Sequence, residues 1–456
     1  MTPACLQAAP QPGLADEQPV PGAGQQRRSA RALTLLCALA LCLSTATAAA
    51  EMYPANRATP GGTSGVSTER LQRLDVFMEK STAEDGYLGG VSMVMHAGRV
   101  VQQRAYGHRD LARTAPMRED SIFRIYSMTK TVTSVAVLML MEEGKLALDD
   151  PLADYLPEFQ DMQVFAGGSA DSPRLQPASH AITLRHLLTH TAGFATGGVG
   201  LESSVHLLER ADLEQSTDLQ QFARKLAAVP LAVEPGTRFR YDGTQLQVLG
   251  RVVEVVSGQP LDVFLEQRIF APLGMDDTGF EVPAGDRHRI VDITRMSASG
   301  TLELDQGPSA IAPGTTLNLY FSAAGGLYST APDFMRFCAM LLQGGAYEGH
   351  DLLGRKTVES MMQNQLGHLD TPVTEFSDAE GFGLGGSVLL DPALRGRLGS
   401  KGQFGWSGAA STYFTIDPAE QLVAILLMQH LPNGASNDLP RLSNRYYNLV
   451  YQALVR

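Results

Sequence analysis

The residues best equipped for chemistry in this chain are Ser127 and Lys130, three apart in IYSMTKTV at the start of a long apolar stretch. If Ser127 opens a helix, Lys130 lies one turn on, and the i to i+3 spacing brings both side chains to one face. The helix start points unpaired N–H groups and a partial positive charge at Ser127, which favours a developing oxyanion. Among apolar neighbours the ammonium of Lys130 is disfavoured relative to its neutral amine, so the amine can accept the hydroxyl proton of Ser127. The same pair would also serve as a Ser N-cap with a Lys snorkelling from the first turn, and this segment alone does not decide between the two.

Two further stretches bear on that choice. Tyr241 in GTRFRYDGTQLQVLG stands just before a helical pattern, so its phenol is presented at a turn. A phenolate stabilised by a neighbouring ammonium can take the proton of Ser127 and return it to a leaving alkoxide; a Tyr there can also simply pack. In GQFGWSGAASTYFTID, Trp406, Ser407 and Gly408 run into a strand-like segment whose backbone N–H groups could complete an oxyanion hole with that of Ser127. Other templates fail. G-x-S-x-G does not occur, and no H-E-x-x-H or Cys/His pairing suggests a metal. GFGLGG at 381 to 386 is followed by strand-like SVLL and Asp391-Pro392 rather than a helix, so it keeps a strand thin beside a cleft and binds no dinucleotide. His190 in LLTHTAGF reads as a hydrogen-bonded structural residue. Neither a cofactor nor a metal is expected.

The elements that must position these groups are read from periodicity. STERLQRLDVFMEKS has helical spacing, and GGVSMVMH and RVVQQRAYG read as a hairpin joined at Ala97-Gly98. TVTSVAVLMLMEEG is apolar all round, hence buried, and ends at Gly144. Helical patterns dominate from Pro151 to about Phe280. Strand character returns with GGSVLLD, ASTYFTID and QLVAILLMQH before a closing helix, LPRLSNRYYNLVYQALV. The expectation is an α+β fold: one antiparallel sheet built from both chain ends, flanked by the N- and C-terminal helices, with a large all-helical subdomain inserted at roughly 145–320.

The whole chain has 456 residues, 44% hydrophobic and 18% charged, with a formal net charge of −12. It lacks a block of Lys and Arg able to neutralise phosphates, which argues against a nucleic-acid partner. Arg27, Arg28 and Arg31 precede the apolar run Ala32 to Leu43, and Ala48 and Ala50 fit a small-x-small cleavage site. Residues 1–50 are therefore expected to be a signal peptide cut after Ala50, residues 51–66 a flexible leader, and 67–456 one hydrolase domain in the periplasm or outside the cell, with no permanent transmembrane segment. Cleavage leaves a charge of −13 and only Cys338, which lies in FMRFCAMLL and reads as a buried small hydrophobe.

Taken together, MREDSIFRIYSMTKTVTS, LRHLLTHTAGF, EPGTRFRYDG, IFAPLGMDDTGF, SAAGGLYSTAPDFMRFCAMLLQGG, GFGLGG and GWSGAASTYFTIDP resemble the serine β-lactamase and penicillin-binding-protein superfamily, in particular its class C-like branch with the family VIII carboxylesterases. The resemblance implies Ser127 as the acyl-forming nucleophile, Lys130 as its partner and Tyr241 as the Tyr of a Y-x-N/S element. It further implies Ala409 as the second oxyanion N–H beside that of Ser127, and Trp406, Ser407 and Gly408 as substrate-binding. Two departures stand out: Gly243 replaces the Asn or Ser of Y-x-N/S, and Trp406 replaces the cation of K-T-G. An indole cannot hold a carboxylate but suits an apolar acyl or alkoxy group, and W-x-G is the pattern of the esterase members. The reading is an exported serine hydrolase of small esters. Its alternatives are the same mechanism acting on β-lactams, D-amino-acid amides or peptides, and a non-catalytic module that binds cell-wall fragments or lipid.

Overall fold

The computed structural model describes residues 65–83, 86–195, 202–369, 374 and 377–455. The expected signal segment, and all but the last two residues of the leader, lie outside the described residues. The first helix, α1 (Thr68–Ala83), leads into strands β1 (Gly89–His96) and β2 (Arg99–Gly107). Ala97 and Gly98 both take positive φ at their junction, the backbone twist that a two-residue hairpin requires. Next come α2 (Thr129–Glu142), α3 (Thr244–Ser257) and α4 (Ala331–Leu342). The chain then returns to the sheet with β3 (Glu380–Phe382), β4 (Ser387–Leu389), β5 (Phe404–Gly408), β6 (Thr412–Asp417) and β7 (Leu422–Met428), and ends on α5 (Ser443–Tyr451).

The seven strands are antiparallel in the order β3-β4-β5-β6-β7-β1-β2, so β7 and β1, from opposite ends of the chain, pair in the sheet interior. Alternation of side chains sends Val91, Met93, Met95, Val423, Ile425 and Leu427 into the larger core, which contains α2, α3 and α4. Val94, Leu422, Ala424, Leu426 and Met428 face the other way, against Leu74 and Met78 of α1 and Tyr446, Tyr447 and Val450 of α5. A one-residue slip of β7 would exchange these two sets, so burial on both faces fixes the register. Cys338 is fully buried in α4.

The segment 145–320 is not the all-helical insert expected: its helices are joined by long loops and it carries two hairpins outside the main sheet, Gln163–Ser169 with Ser172–Pro177 and Thr294–Met296 with Leu302–Leu304. The first is glycine-bearing and largely exposed on its second strand, so no apolar alternation marks it in the sequence. α2 is buried along nearly its whole length, as a helix apolar on all sides must be. No helix among the described residues is long and apolar enough to cross a membrane.

Candidate active site

Ser127 does not open the α-helix itself; it lies in a single 3-10 turn, Tyr126–Met128, directly ahead of α2. That turn is pinned from several sides. Ile125 N–H donates to Leu327 O at 3.0 Å, and Thr412 Oγ1 on β6 donates to Ile125 O at 3.3 Å. Tyr126 is held at φ +45°, a left-handed conformation costly for a bulky residue and kept only where surrounding contacts enforce it. Arg124, fully buried, supplies part of that enforcement by donating to Gly326 O at 2.9 Å, Thr315 O at 2.7 Å and the hydroxyl of Tyr328 at 2.6 Å.

Lys130 is 4% exposed, and its Nζ donates to Ser127 Oγ at 2.9 Å and to Ala324 O at 2.8 Å. The SAAGGLYS stretch is therefore a backbone brace for α2: Thr133 Oγ1 donates to Ala323 O at 2.8 Å, and Leu327 N–H to Thr129 Oγ1 at 3.3 Å. A backbone carbonyl carries no residue-type signal, which is why Ala324 is invisible in the sequence.

Tyr241 reaches the same place from the turn before α3. Lys130 Nζ stands 5.0 Å from the centroid of its ring. Its phenol oxygen accepts a hydrogen bond from Trp406 Nε1–H at 2.9 Å, and the two rings are 4.8 Å apart. The YDG turn is locked by Asp242 Oδ1, which accepts from the N–H groups of Thr244 and Gln245 and so caps α3. LLTHTAGF holds this turn from behind: Arg240 N–H donates to His190 O at 2.7 Å, and Ala192 N–H to Gln245 Oε1 at 3.2 Å.

His190 itself differs from its expected hydrogen-bonded state. Among the described residues neither ring nitrogen has a hydrogen-bond partner, and the imidazole is packed 4.7 Å from Tyr241 and 5.2 Å from Phe382. Burial, with the Lys130 ammonium nearby, holds it neutral by pushing its pKa well below the usual imidazole range. It is a packing piece behind the phenol.

GFGLGG proves to be the wall behind α2. Thr131 Oγ1 donates to Gly385 O at 2.8 Å, and a Cβ at Gly385 would stand 2.1 Å from Ser134 Oγ. On β5, a Cβ at Gly408 would stand 2.3 Å from Ile125 O. The strand can lie against the Ser127 turn only because that residue is glycine.

Two cavities meet at Ser127. One, of about 370 Å³, is lined by Ser127, Tyr241, Trp406, Ser407, Gly408 and Ala409, among others. The second, of about 790 Å³, is lined by Ser127, Lys130, Tyr241, Gly243, Gln247 and Tyr320, among others. All seven residues singled out in the sequence thus border one or both of these spaces. A hydroxyl bonded to an ammonium, with a phenol beside them and a roomy cleft on each side, is an arrangement suited to acyl transfer through a covalent serine.

Comparison with known proteins agrees. The family profile described as Beta-lactamase matches residues 74–446. Esterase EstB of Burkholderia gladioli is 31% identical over 384 residues, covering 80% of this chain and 92% of its own. Lovastatin esterase of Penicillium rubens is 32% identical over 356 residues, covering 73% and 86%. Among solved structures, EstCE1, described as a hydrolase with promiscuous acyltransferase activity, superposes with a TM-score of 0.68 at 27% identity, covering 85% of this chain and 99% of its own.

Proposed function

Since the chain belongs to the beta-lactamase family and is a serine hydrolase within it, we propose that it is an exported esterase that cleaves small esters through an acyl-enzyme on Ser127. The observation that carries this reading is the 2.9 Å bond from Lys130 Nζ to Ser127 Oγ, set between two cavities that both reach Tyr241.

Ser127 Oγ attacks the ester carbonyl carbon as its proton passes to Tyr241. Tyr241 receives it as the phenolate, with Lys130 Nζ 5.0 Å from its ring centroid and the Trp406 N–H donated to its oxygen. The carbonyl oxygen, now an anion, takes the backbone N–H groups of Ser127 and Ala409. Collapse expels the alkoxide, which recovers the proton from Tyr241, and water attacking the acyl-Ser127 by the same route in reverse releases the acid. Trp406 supports ester over β-lactam, because its indole lies where a cation would hold a carboxylate, and the esterase relatives support the same choice.

Hydrolysis of p-nitrophenyl butyrate by the wild type and Ser127→Ala tests the reading. The variant is expected to lose turnover and labelling by a fluorophosphonate, and unchanged turnover in it would discard the mechanism. Nitrocefin hydrolysis rivalling that of the butyrate would move the substrate class to β-lactams. Fractionation of the producing cells tests export: retention of the full-length chain inside the cell contradicts it.

A further inference from the structure

The α3 helix carries a polar group that the proposed chemistry does not use. Gln247 is 6% exposed and lines the larger cavity together with Ser127. Its Nε2 donates to Ser322 Oγ at 2.7 Å, which fixes the amide plane, while its Oε1 is buried with no hydrogen-bond partner among the described residues. An unpaired buried carbonyl is costly unless a ligand or water meets it.

Gly243 shares that cavity with Gln247. Gln247 stands four residues on, on the same helix face, and its N–H donates to Gly243 O at 3.2 Å. Gly243 has φ −83° and only Ala324 Cβ, at 3.4 Å, near its own would-be Cβ. Neither strain nor crowding therefore demands glycine here. Gly243 and Gln247, one helical turn or about 5.4 Å apart, line the same cavity. The cavity wall combines Leu213, Leu317 and the Phe222 and Tyr320 rings, 5.6 Å apart, with the carboxylates of Glu209, Asp212 and Glu214.

We propose that Gln247 is the polar anchor of an acyl subsite that selects esters of hydroxy acids over their unsubstituted counterparts. The assignment of this cavity to the acyl group rests on the esterase reading above. Tyr241, which returns the proton to the leaving alkoxide, is bonded to Trp406 on the side of the smaller cavity, so the leaving group belongs there and the acyl chain on the Gly243 side. A plain alkyl chain leaves Gln247 Oε1 unpaired, whereas a hydroxyl that reaches it donates to it. A hydroxyl both donates and accepts, so it satisfies either end of the amide.

The test compares kcat/KM for two ester pairs on the full chain: p-nitrophenyl 3-hydroxybutyrate with the butyrate, and p-nitrophenyl 6-hydroxyhexanoate with the hexanoate. Wild type is expected to favour the hydroxylated member of at least one pair by about tenfold, and Gln247→Met to bring that ratio near one whatever its absolute rate. Gly243→Val, which stands an apolar side chain between Ser127 and Gln247, is expected to abolish the same preference and serves if Gln247→Met does not fold. Wild-type ratios of one or below in both pairs, or a preference that survives either folded variant, overturn the subsite while leaving the esterase reading standing. Absence of turnover of all four esters defeats both readings together.

Discussion

The indole N–H of Trp406 is bonded to the phenol oxygen of Tyr241 at 2.9 Å, across 165 residues of sequence. An aromatic residue expected to face substrate thus also acts on the proposed proton carrier. A donor to this oxygen strengthens as the phenol gives up its proton, since hydrogen bonds to a charged acceptor contribute about 1.5–3 kcal/mol. Trp406→Phe preserves the ring packing and removes the donor. Its kcat for p-nitrophenyl butyrate should fall at least tenfold with KM changed far less, and a fall in affinity alone would reduce Trp406 to a substrate contact.

Lys130 gives a prediction in which activity and stability move oppositely. Its ammonium is almost wholly buried and touches a hydroxyl and a carbonyl but, among the described residues, no carboxylate, so burial of its charge is incompletely offset. Lys130→Met fits the same volume without the charge. It should lose about 10³-fold or more in kcat, in the range of displaced acid–base groups, while its melting temperature stays level or rises. A drop of many degrees would mean that the ammonium is a structural keystone of α2.

The approach of β5 to the Ser127 turn makes Gly408 intolerant. A methyl there would meet Ile125 O and Thr412 Oγ1, each at 2.3 Å, so the strand must back away and carry the N–H of Ala409 with it. Loss of one oxyanion donor costs about 10²–10³ in kcat. Gly408→Ala should show a loss of that size, and a variant that remains folded and retains full kcat would remove Ala409 from the oxyanion hole.

Much of this was readable in advance, for reasons that differ by residue. Ser127 and Lys130 were visible because a local i to i+3 spacing survives even though Ser127 sits in a 3-10 turn rather than in α2. That one sheet draws on both chain ends was visible from the strand-like runs there, but the pairing of β7 with β1 was not, because both are nearly continuous apolar runs buried on both faces, with no alternation to set a partner. Other features are nonlocal or carry no residue signal. The Trp406–Tyr241 bond joins distant segments, Ala324 acts through its backbone, and the strain at Tyr126 comes from neighbours on other elements. Gln247 lay hidden among the apolar residues of TQLQVLGRVV, although its place one turn after the anomalous Gly243 was a usable clue.

His190 supplies a prediction in pH. Its imidazole is buried among Tyr241, Phe239 and Phe382 with neither nitrogen bonded, and its folded pKa lies well below the ordinary 6.5. The unfolded chain therefore binds a proton that the folded chain refuses. Stability from the neutral ring is fully present above about pH 6.5 and is lost as pH falls below it toward the folded value, at up to about 1.4 kcal/mol per pH unit. His190→Phe keeps an aromatic ring in the same nest without a titrating nitrogen. Denaturant midpoints of the two proteins, taken from pH 7.5 down to pH 5, should diverge in favour of the variant below about pH 6.5, and parallel curves would show that His190 keeps its proton equilibrium on folding. Turnover of p-nitrophenyl butyrate separates packing from chemistry at the same position, because loss of a true acid–base group costs about 10²–10⁴, whereas a ring that only backs Tyr241 should cost less than the lower of those figures.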